Sequence, residues 1–242
     1  MFLLLCIDLK AQLLNKNIAT NSDSEKVMIC LIRKFLVCTL SKIEKFRSYQ
    51  YLHRTMQSFF NHINKYYPLS TASQEALAAC FVRKEFYKND ILLKEGNICR
   101  HLYFVEQGAI RGFYNLDGKE ITHWFGFEND FVTSFHSFIT GEAAVENIQF
   151  LEYSIVWALP KEMIQGLFDE FHETERLVRI VYEKYYIRLE ERFVNAQFKT
   201  AAERYENLLQ ESPHILTRVP LGYIAAYLGI TQETLSRIRN KV

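Results

Sequence analysis

The polar side chains near the C-terminus, on one face of a predicted short helix, have the most distinctive chemistry in the chain. Arg237 can donate two parallel hydrogen bonds, which suits O6 and N7 of guanine, and Glu233 can accept one from N4 of cytosine. Arg239 and Lys241 carry charges suited to the phosphate backbone. The residues predicted to contact nucleic acid are Thr231, Gln232, Glu233, Ser236, Arg237, Arg239, Asn240 and Lys241.

Positive charge is concentrated in the same region. The whole chain has a formal net charge of only +1, so any affinity for nucleic acid depends on a local surface. Between positions 212 and 242, Arg218, Arg237, Arg239 and Lys241 are accompanied by a single acidic residue, Glu233. This excess supports a nucleic-acid-binding surface at the C-terminal end.

Two short helices around a glycine turn are predicted to position these side chains, within LGYIAAYLGITQETLSRIRN (221–240). Pro220 favours a helix start, Gly229 a sharp turn with positive φ, and Thr231 a helix N-cap. Ala225 is placed where the two helices cross closely. The apolar positions that would form a shared core are Ile224, Leu228, Ile230, Leu235 and Ile238. This arrangement is a helix-turn-helix, and the alternative is an ordinary helical hairpin.

A long helix is predicted over residues 173–198, which contain neither glycine nor proline. It would be about 39 Å long at 1.5 Å per residue, and a helix of that length needs an apolar partner. We predict that a stripe with steps of three or four residues forms a homodimer interface. The alternative is that this stripe packs on the chain's own β domain. The interface residues are Val178, Val181, Tyr185, Leu189 and Phe193.

Short apolar runs separated by turn signals, typical of β-strands, fill residues 82–159. Asp117-Gly118 lies between two alternating runs and predicts a type I′ hairpin. The predicted fold class is α+β: an N-terminal antiparallel β-roll (jelly roll) with flanking helices, a long dimerisation helix and a C-terminal helix-turn-helix. The predicted domains are an extension of unclear role at 1–55, a β-roll sensor domain at 56–171, the dimerisation helix at 172–198 and the helix-turn-helix domain at 199–242.

The composition predicts a globular, cytoplasmic protein. Hydrophobic residues make up 49% of the chain, enough for a large core, and no stretch approaches the roughly 18–20 apolar residues of a membrane span. The five cysteines lack the paired spacing of zinc or iron–sulfur sites. We therefore expect no metal, no cofactor and no membrane insertion. Residues 1–55 are either an extension that results from an upstream choice of start codon or a helical arm that packs on the body.

The order of these elements, together with two segments, resembles the Crp/Fnr family of bacterial transcription regulators. ILLKEGNICRHLYFVEQGAIRGFYNLDGKEITHWF is similar to the family's β-roll, and IAAYLGITQETLSRIR is similar to its DNA-contacting helices, with Glu233, Ser236 and Arg237 in the family's Glu-x-x-Ser-Arg pattern. The resemblance covers residues 56–242. It implies a dimer that binds a roughly palindromic operator in double-stranded DNA and contacts RNA polymerase, and it leaves the effector unknown.

The chain departs from this family pattern in two places. Members that bind cyclic nucleotides carry Gly-Glu and, further along, Arg-Ser or Arg-Thr, whose arginine neutralises the cyclic phosphate. The corresponding positions here hold Thr133-Ser134 and Glu146-Asn147, and Gly141-Glu142 is displaced and interpreted as a loop tip. We therefore expect no binding of cyclic AMP and, without the cysteine cluster of the oxygen sensors, no iron–sulfur cluster. The sequence given also stops at Val242, so we expect either fewer phosphate contacts or a reduced β wing.

Two other functions fit parts of the pattern. A jelly roll with His101, His123 and His136 is compatible with a metal enzyme of the cupin class, but no His-x-His pair is present. The second alternative is an effector domain that only binds a cyclic nucleotide or another small molecule, in which the C-terminal helices have no role. No nucleophile–base pair or phosphate-binding glycine loop is evident, so we do not expect an enzyme.

Overall fold

A computed structural model describes residues 56–240, so the predicted extension at 1–55 and the predicted contact residue Lys241 lie outside the described residues. The first elements are α1 (Gln57–Ile63), α2 (Thr71–Cys80), β1 (Val82–Phe86), β2 (Ile91–Leu93), β3 (His101–Gln107), β4 (Ile110–Leu116), β5 (Lys119–Gly126) and β6 (Phe131–Val132). The chain continues through α3 (Phe135–Thr140), β7 (Asn147–Phe150), β8 (Ser154–Pro160) and α4 (Lys161–Glu170). It ends with α5 (His172–Phe198), α6 (Ala201–Glu211), α7 (Ile215–Arg218), α8 (Leu221–Leu228) and α9 (Gln232–Arg239).

The strands form a β-roll of two four-stranded sheets within the described residues. Sheet 1 has the order β1-β8-β3-β6 and sheet 2 the order β2-β7-β4-β5, and the strands pair antiparallel throughout. Asp117 and Gly118, with φ of 51° and 80°, join β4 to β5 in a two-residue loop. Positive φ at both positions is the type I′ geometry that the sequence predicts. The predicted α+β class with an antiparallel β-roll is therefore confirmed.

Aromatic side chains fix the first helix against sheet 1. Phe59 on α1 makes edge-on contacts with Phe81, Phe104 and Phe131, with centroid distances of 4.9, 5.0 and 6.2 Å. All four rings are buried. Because such pairs add about 0.5–1.5 kcal/mol each beyond the area that they bury, this cluster is a strong link between the flanking helix and the strands.

The N-terminal half of α5 packs on its own β-roll. Leu177 and Val181 are buried in the main core, and the Tyr185 hydroxyl accepts a hydrogen bond of 2.6 Å from the backbone N–H of Phe131. The sequence predicts Val181 and Tyr185 in a dimer interface, whereas the structure places them against the chain's own strands. The alternative prediction, that the stripe packs on the β domain, therefore describes this half of the helix.

The C-terminal half of α5 has a different environment. Leu189 and Phe193 are 60% and 65% exposed, and the neighbouring Tyr186 is 67% exposed. Val178, in the N-terminal half, is half-buried. The predicted stripe is thus divided near Tyr185: its first part is covered by the β-roll and its second part is open to solvent. Apolar residues so exposed on a regular helix mark a surface that can take a partner.

The helices after α5 share a core with sheet 2. We call α6 to α9 (201–239) the C-terminal module. Its apolar residues form one cluster with Phe125 on β5 and with side chains that directly adjoin the ends of β4, β5 and β7. The buried members are Ala109, Phe125, Phe127, Leu151, Tyr205, Leu208, Ile215, Val219, Ile224, Ala225, Leu228 and Leu235. The predicted boundary at 199 therefore separates elements that are in close contact here.

Candidate nucleic-acid interface

The turn between α8 and α9 has the geometry of a helix-turn-helix. Gly229 adopts φ 68° at the end of α8, its N–H donates to the Ala226 carbonyl, and the Ile230 N–H donates to the Ala225 carbonyl. This pair of bonds is a Schellman motif, which ends a helix at a left-handed residue. The Thr231 side chain then caps α9 by accepting a hydrogen bond from the Thr234 N–H, at 3.2 Å.

Glycine at the turn gives a testable effect on stability. A Cβ atom at Gly229 meets nothing within 4 Å, so only the left-handed backbone opposes Gly229→Ala, at a cost of roughly 1–2 kcal/mol. Gly166→Ala in α4, where space is also open and no positive φ is required, is expected to stabilise by about 0.5–1 kcal/mol. Urea unfolding measures both variants, and a change of the same sign in both contradicts the role of Gly229.

The two helices cross closely over a small apolar core. Ile224, Ala225 and Leu228 on α8 and Leu235 on α9 are buried, as the sequence predicts. At Gly222, near the start of α8, an added Cβ atom would lie 2.5 Å from Nε2 of Gln232 on α9, so a larger residue there would displace this side-chain amide. The sequence predicts no role for Gly222, although glycine permits a close approach of neighbouring groups.

The predicted contact residues on α9 form an exposed face. The N-cap residue Thr231 and the C-cap residue Asn240 are both exposed. The exposed residues between them on this face are Gln232, Glu233, Ser236, Arg237 and Arg239. Hydrogen bonds from its own backbone and from Thr231 hold the pKa of Glu233 below its usual range, so its carboxylate is ionised near neutral pH and acts as an acceptor only. Arg237 remains close to its own helix, with Nε donating to the Glu233 carbonyl at 3.5 Å.

Arg218, one of the four positive charges between positions 212 and 242, is paired with the β-roll. Its guanidinium donates to both carboxylate oxygens of Glu128, at 2.7 and 2.8 Å, and also to Glu152. Burial raises the pKa of Glu128, but hydrogen bonds from Arg218 and the Gly108 N–H outweigh it and lower that pKa to about 2. Hydrogen bonds to Glu128 and Glu152 raise the pKa of Arg218 above its usual value.

A second arginine lies at the same contact. Arg111 on β4 is buried, and its guanidinium carbon lies 4.0 Å from the Phe113 ring and 3.6 Å from the Tyr223 ring of α8. Its N–H groups donate to Oε1 of Gln149, at 2.7 and 3.0 Å, and to Glu120 at 2.6 Å. A guanidinium can stack on ring faces while donating in its plane, so Arg111 joins the roll to α8.

The polar interior of the β-roll is occupied by its own side chains. Glu146 is buried with Oε2 at 2.6 Å from Nε2 of His123, and it accepts a 3.0 Å hydrogen bond from Nε1 of Trp124. Burial raises the pKa of Glu146, but the contact with His123 outweighs it, so the net shift is downward. The Trp124 indole fills the space over Gly112, where a Cβ atom would lie 2.2 Å from it.

The positions that were compared with the cyclic-nucleotide motif have structural roles in the β-roll. Thr133 is buried and donates to the His101 carbonyl at 3.0 Å, and Gly141 ends α3 with φ 80° next to the exposed Glu142. Among residues 56–240, no three His, Cys, Asp or Glu side chains are close enough together to hold a metal ion. No helix in the same range is both long and apolar enough to cross a bilayer.

Comparisons with known proteins agree with this architecture. Residues 83–171 match the family of the cyclic nucleotide-binding domain. No curated protein sequence matches the chain. FixK2 from Bradyrhizobium japonicum is 19% identical over 66% of this chain and 83% of its own, with a TM-score of 0.59. A transcriptional regulator of the Crp/Fnr family from Eubacterium rectale is 19% identical over 73% of this chain and 87% of its own, at TM-score 0.57.

A third similar structure is the regulator CLP from Xanthomonas campestris, described as responsive to c-di-GMP. It is 16% identical over 71% of this chain and 91% of its own, with a TM-score of 0.55. At these identities the matches show a shared fold. The described chain therefore has the fold of Crp/Fnr regulators, in which a cyclic nucleotide-binding domain precedes a long helix.

Proposed function

We propose that the protein is a sequence-specific, DNA-binding transcription regulator of the Crp/Fnr type, acts as a homodimer in the cytoplasm, contacts RNA polymerase and is not an enzyme. The observation that carries this proposal is the C-terminal helix-turn-helix, whose second helix presents an uninterrupted polar face to solvent. The cyclic nucleotide-binding domain and the regulators of the same fold support it.

The polar face of α9 has the chemistry for reading the major groove. Arg237 is the base-contacting residue, since a guanidinium pairs with guanine O6 and N7, and Glu233 accepts from cytosine N4. Arg239 contacts phosphate, as does Lys241. Thr231, Gln232, Ser236 and Asn240 complete the contact set with hydroxyl and amide groups, which can bond either to bases or to the backbone.

The exposed half of α5 supports the dimer. Tyr186, Leu189 and Phe193 follow one another at steps of three and four residues, which is the spacing of the apolar positions in a two-stranded coiled coil. The proposed interface therefore keeps Val178, Leu189 and Phe193 and adds Tyr186. It leaves out Val181 and Tyr185, which contact the chain's own β-roll. A twofold dimer of this kind presents two copies of α9 to a palindromic operator.

The interior of the roll argues against cyclic AMP as the effector. A bound cyclic phosphate would have to approach the ionised Glu146, with no arginine at the corresponding positions, and Trp124 takes up interior volume. We expect calorimetric titration with millimolar cyclic AMP to release no saturable heat, because an uncompensated pair of like charges is costly in a buried site. A saturable isotherm with one ligand per chain would overturn this part of the proposal.

Selection of bound duplexes from a random pool tests the function itself. We expect enriched sequences with two inverted half-sites whose centres are about 10–10.5 base pairs apart, or a multiple of this spacing, because two recognition helices must enter successive major grooves. A pool that shows no enrichment after repeated rounds, with folded protein, contradicts the proposal.

A further inference from the structure

Helix α8 has a second apolar face that the helix-turn-helix does not need. Ile224, Ala225 and Leu228 point into the module's own core. Tyr223 and Tyr227 lie on the other side of the helix, where Tyr223 covers Arg111 and the Tyr227 ring lies 5.3 Å from that of Phe125. This second face holds the C-terminal module on sheet 2.

The β-roll side of this contact is arranged by the roll itself. Gln149, Glu120 and Phe113 hold the Arg111 guanidinium from strands of sheet 2. The C-terminal module adds only the face of the Tyr223 ring. A preformed surface costs little ordering when the module docks, so docking does not require the roll to rearrange.

In the charged part of the contact, carboxylates bind an arginine in the way that a phosphate group can. Glu128 and Glu152, both from turns at the edge of the roll, offer three oxygen atoms to one guanidinium of the C-terminal module. Arginine binds carboxylate and phosphate through the same forked geometry. The pair is partly exposed, with side-chain exposures of 20% for Arg218 and 35% for each glutamate, so polyanions and salt can compete with it.

We propose that Glu128 and Glu152 hold Arg218 in place of DNA phosphate, so that the docked module is the weaker DNA-binding state and its release adds Arg218 to the phosphate contacts. This inference rests on the proposed function and adds to it a residue and a control point. Docking removes one of the positive charges counted between 212 and 242 and places two carboxylates beside the module. Release reverses both effects.

The experiment compares variants that free Arg218 without altering the face of α9. Glu152→Gln removes one partner, and Glu128→Gln combined with Glu152→Gln removes both charges while keeping an oxygen that can accept from the Gly108 N–H. Adding Arg218→Gln to the double variant removes the freed cation. Glu183→Gln, which breaks an arginine–glutamate pair within α5, is the matched control. Thermal unfolding verifies that each variant is folded.

The first measurement is the salt dependence of affinity for a duplex of random sequence. One additional phosphate contact steepens the slope of log K against log salt by about 0.9 and tightens binding roughly tenfold at 0.05 M salt. We expect this gain in the double variant, a smaller gain in Glu152→Gln, and its loss when Arg218→Gln is added. An unchanged slope in the double variant, or a gain that persists without Arg218, overturns the proposal.

The second measurement needs no DNA. Amide hydrogen exchange in α8 and in β5 is expected to be several-fold faster in the double variant than in the unaltered protein and in Glu183→Gln, since release exposes both surfaces. Unchanged exchange overturns the docking contact whether or not the protein binds DNA. A different outcome is also defined: the unaltered protein binds no duplex, but exchange is faster in the double variant. This result would contradict the proposed function and the phosphate role of Arg218, and it would support the docking contact.

Discussion

Phe193→Glu is expected to convert the proposed dimer to a monomer. Phe193 is 65% exposed in the protomer, so the substitution costs the isolated chain little, but in a dimer two unpaired carboxylates would be buried. An uncompensated buried charge costs about 3–5 kcal/mol, and about 3 kcal/mol per chain already raises the dissociation constant more than a hundredfold. Sedimentation velocity at micromolar concentration measures the change, and affinity for a palindromic duplex should fall with it.

Ile187→Glu is the matched control for this result. Ile187 lies on the same half of α5 and is 52% exposed, but at 100° per residue it is more than 100° around the helix from Phe193. It should leave the dimer intact. If Ile187→Glu gives monomers and Phe193→Glu does not, the interface lies on the other side of α5. Val181→Glu is unsuitable as a test of association, because Val181 is buried in the protomer and its substitution is expected to unfold the chain.

Arg237→Ala is expected to weaken binding to the selected operator by about 1–3 kcal/mol and to relax the preference at one base pair in each half-site. The side chain is exposed on α9, so its loss leaves the helix-turn-helix core of Leu228 and Leu235 intact. Fluorescence anisotropy with the operator, and with single-base variants of it, measures affinity and preference together. Thermal unfolding should be unchanged.

Arg239→Ala distinguishes base recognition from charge. Arg239 is also exposed, two positions further along, and its loss should weaken binding to all sequences alike and lower the salt slope by about 1. Unaltered base preference in Arg237→Ala, or a change of preference in Arg239→Ala only, would contradict the assignment of Arg237 as the base-contacting residue.

Local features of the fold could be predicted from the sequence because their causes lie within a few residues. Gly229 requires a left-handed turn, Thr231 caps the following helix, and Asp117-Gly118 closes a two-residue hairpin. Each feature follows from the φ preference or hydrogen-bonding groups of its own residues. The exposed polar face of α9 follows in the same way, since it lies opposite the apolar positions of an amphipathic helix.

Contacts between distant segments could not be predicted. An apolar stripe on α5 indicates that something covers it, but periodicity does not distinguish the chain's own strands, which cover Val181, from a second copy. The pairing of Arg218 with Glu128 joins residues 90 positions apart, so the segment's charge count overstated its free positive charge. Glu146 likewise gave no signal of its partner His123, because the two residues lie 23 positions apart and only the folded sheet brings them together.

The most direct test of the account is to place a photo-crosslinking amino acid at Ser236, on the exposed face of α9, and to irradiate the complex with the selected duplex. We predict crosslinks to bases within the half-sites, and none from the same amino acid at Glu75, which is exposed on α2. Bound duplex that crosslinks from position 75 but not from position 236 would contradict the claim that α9 enters the DNA.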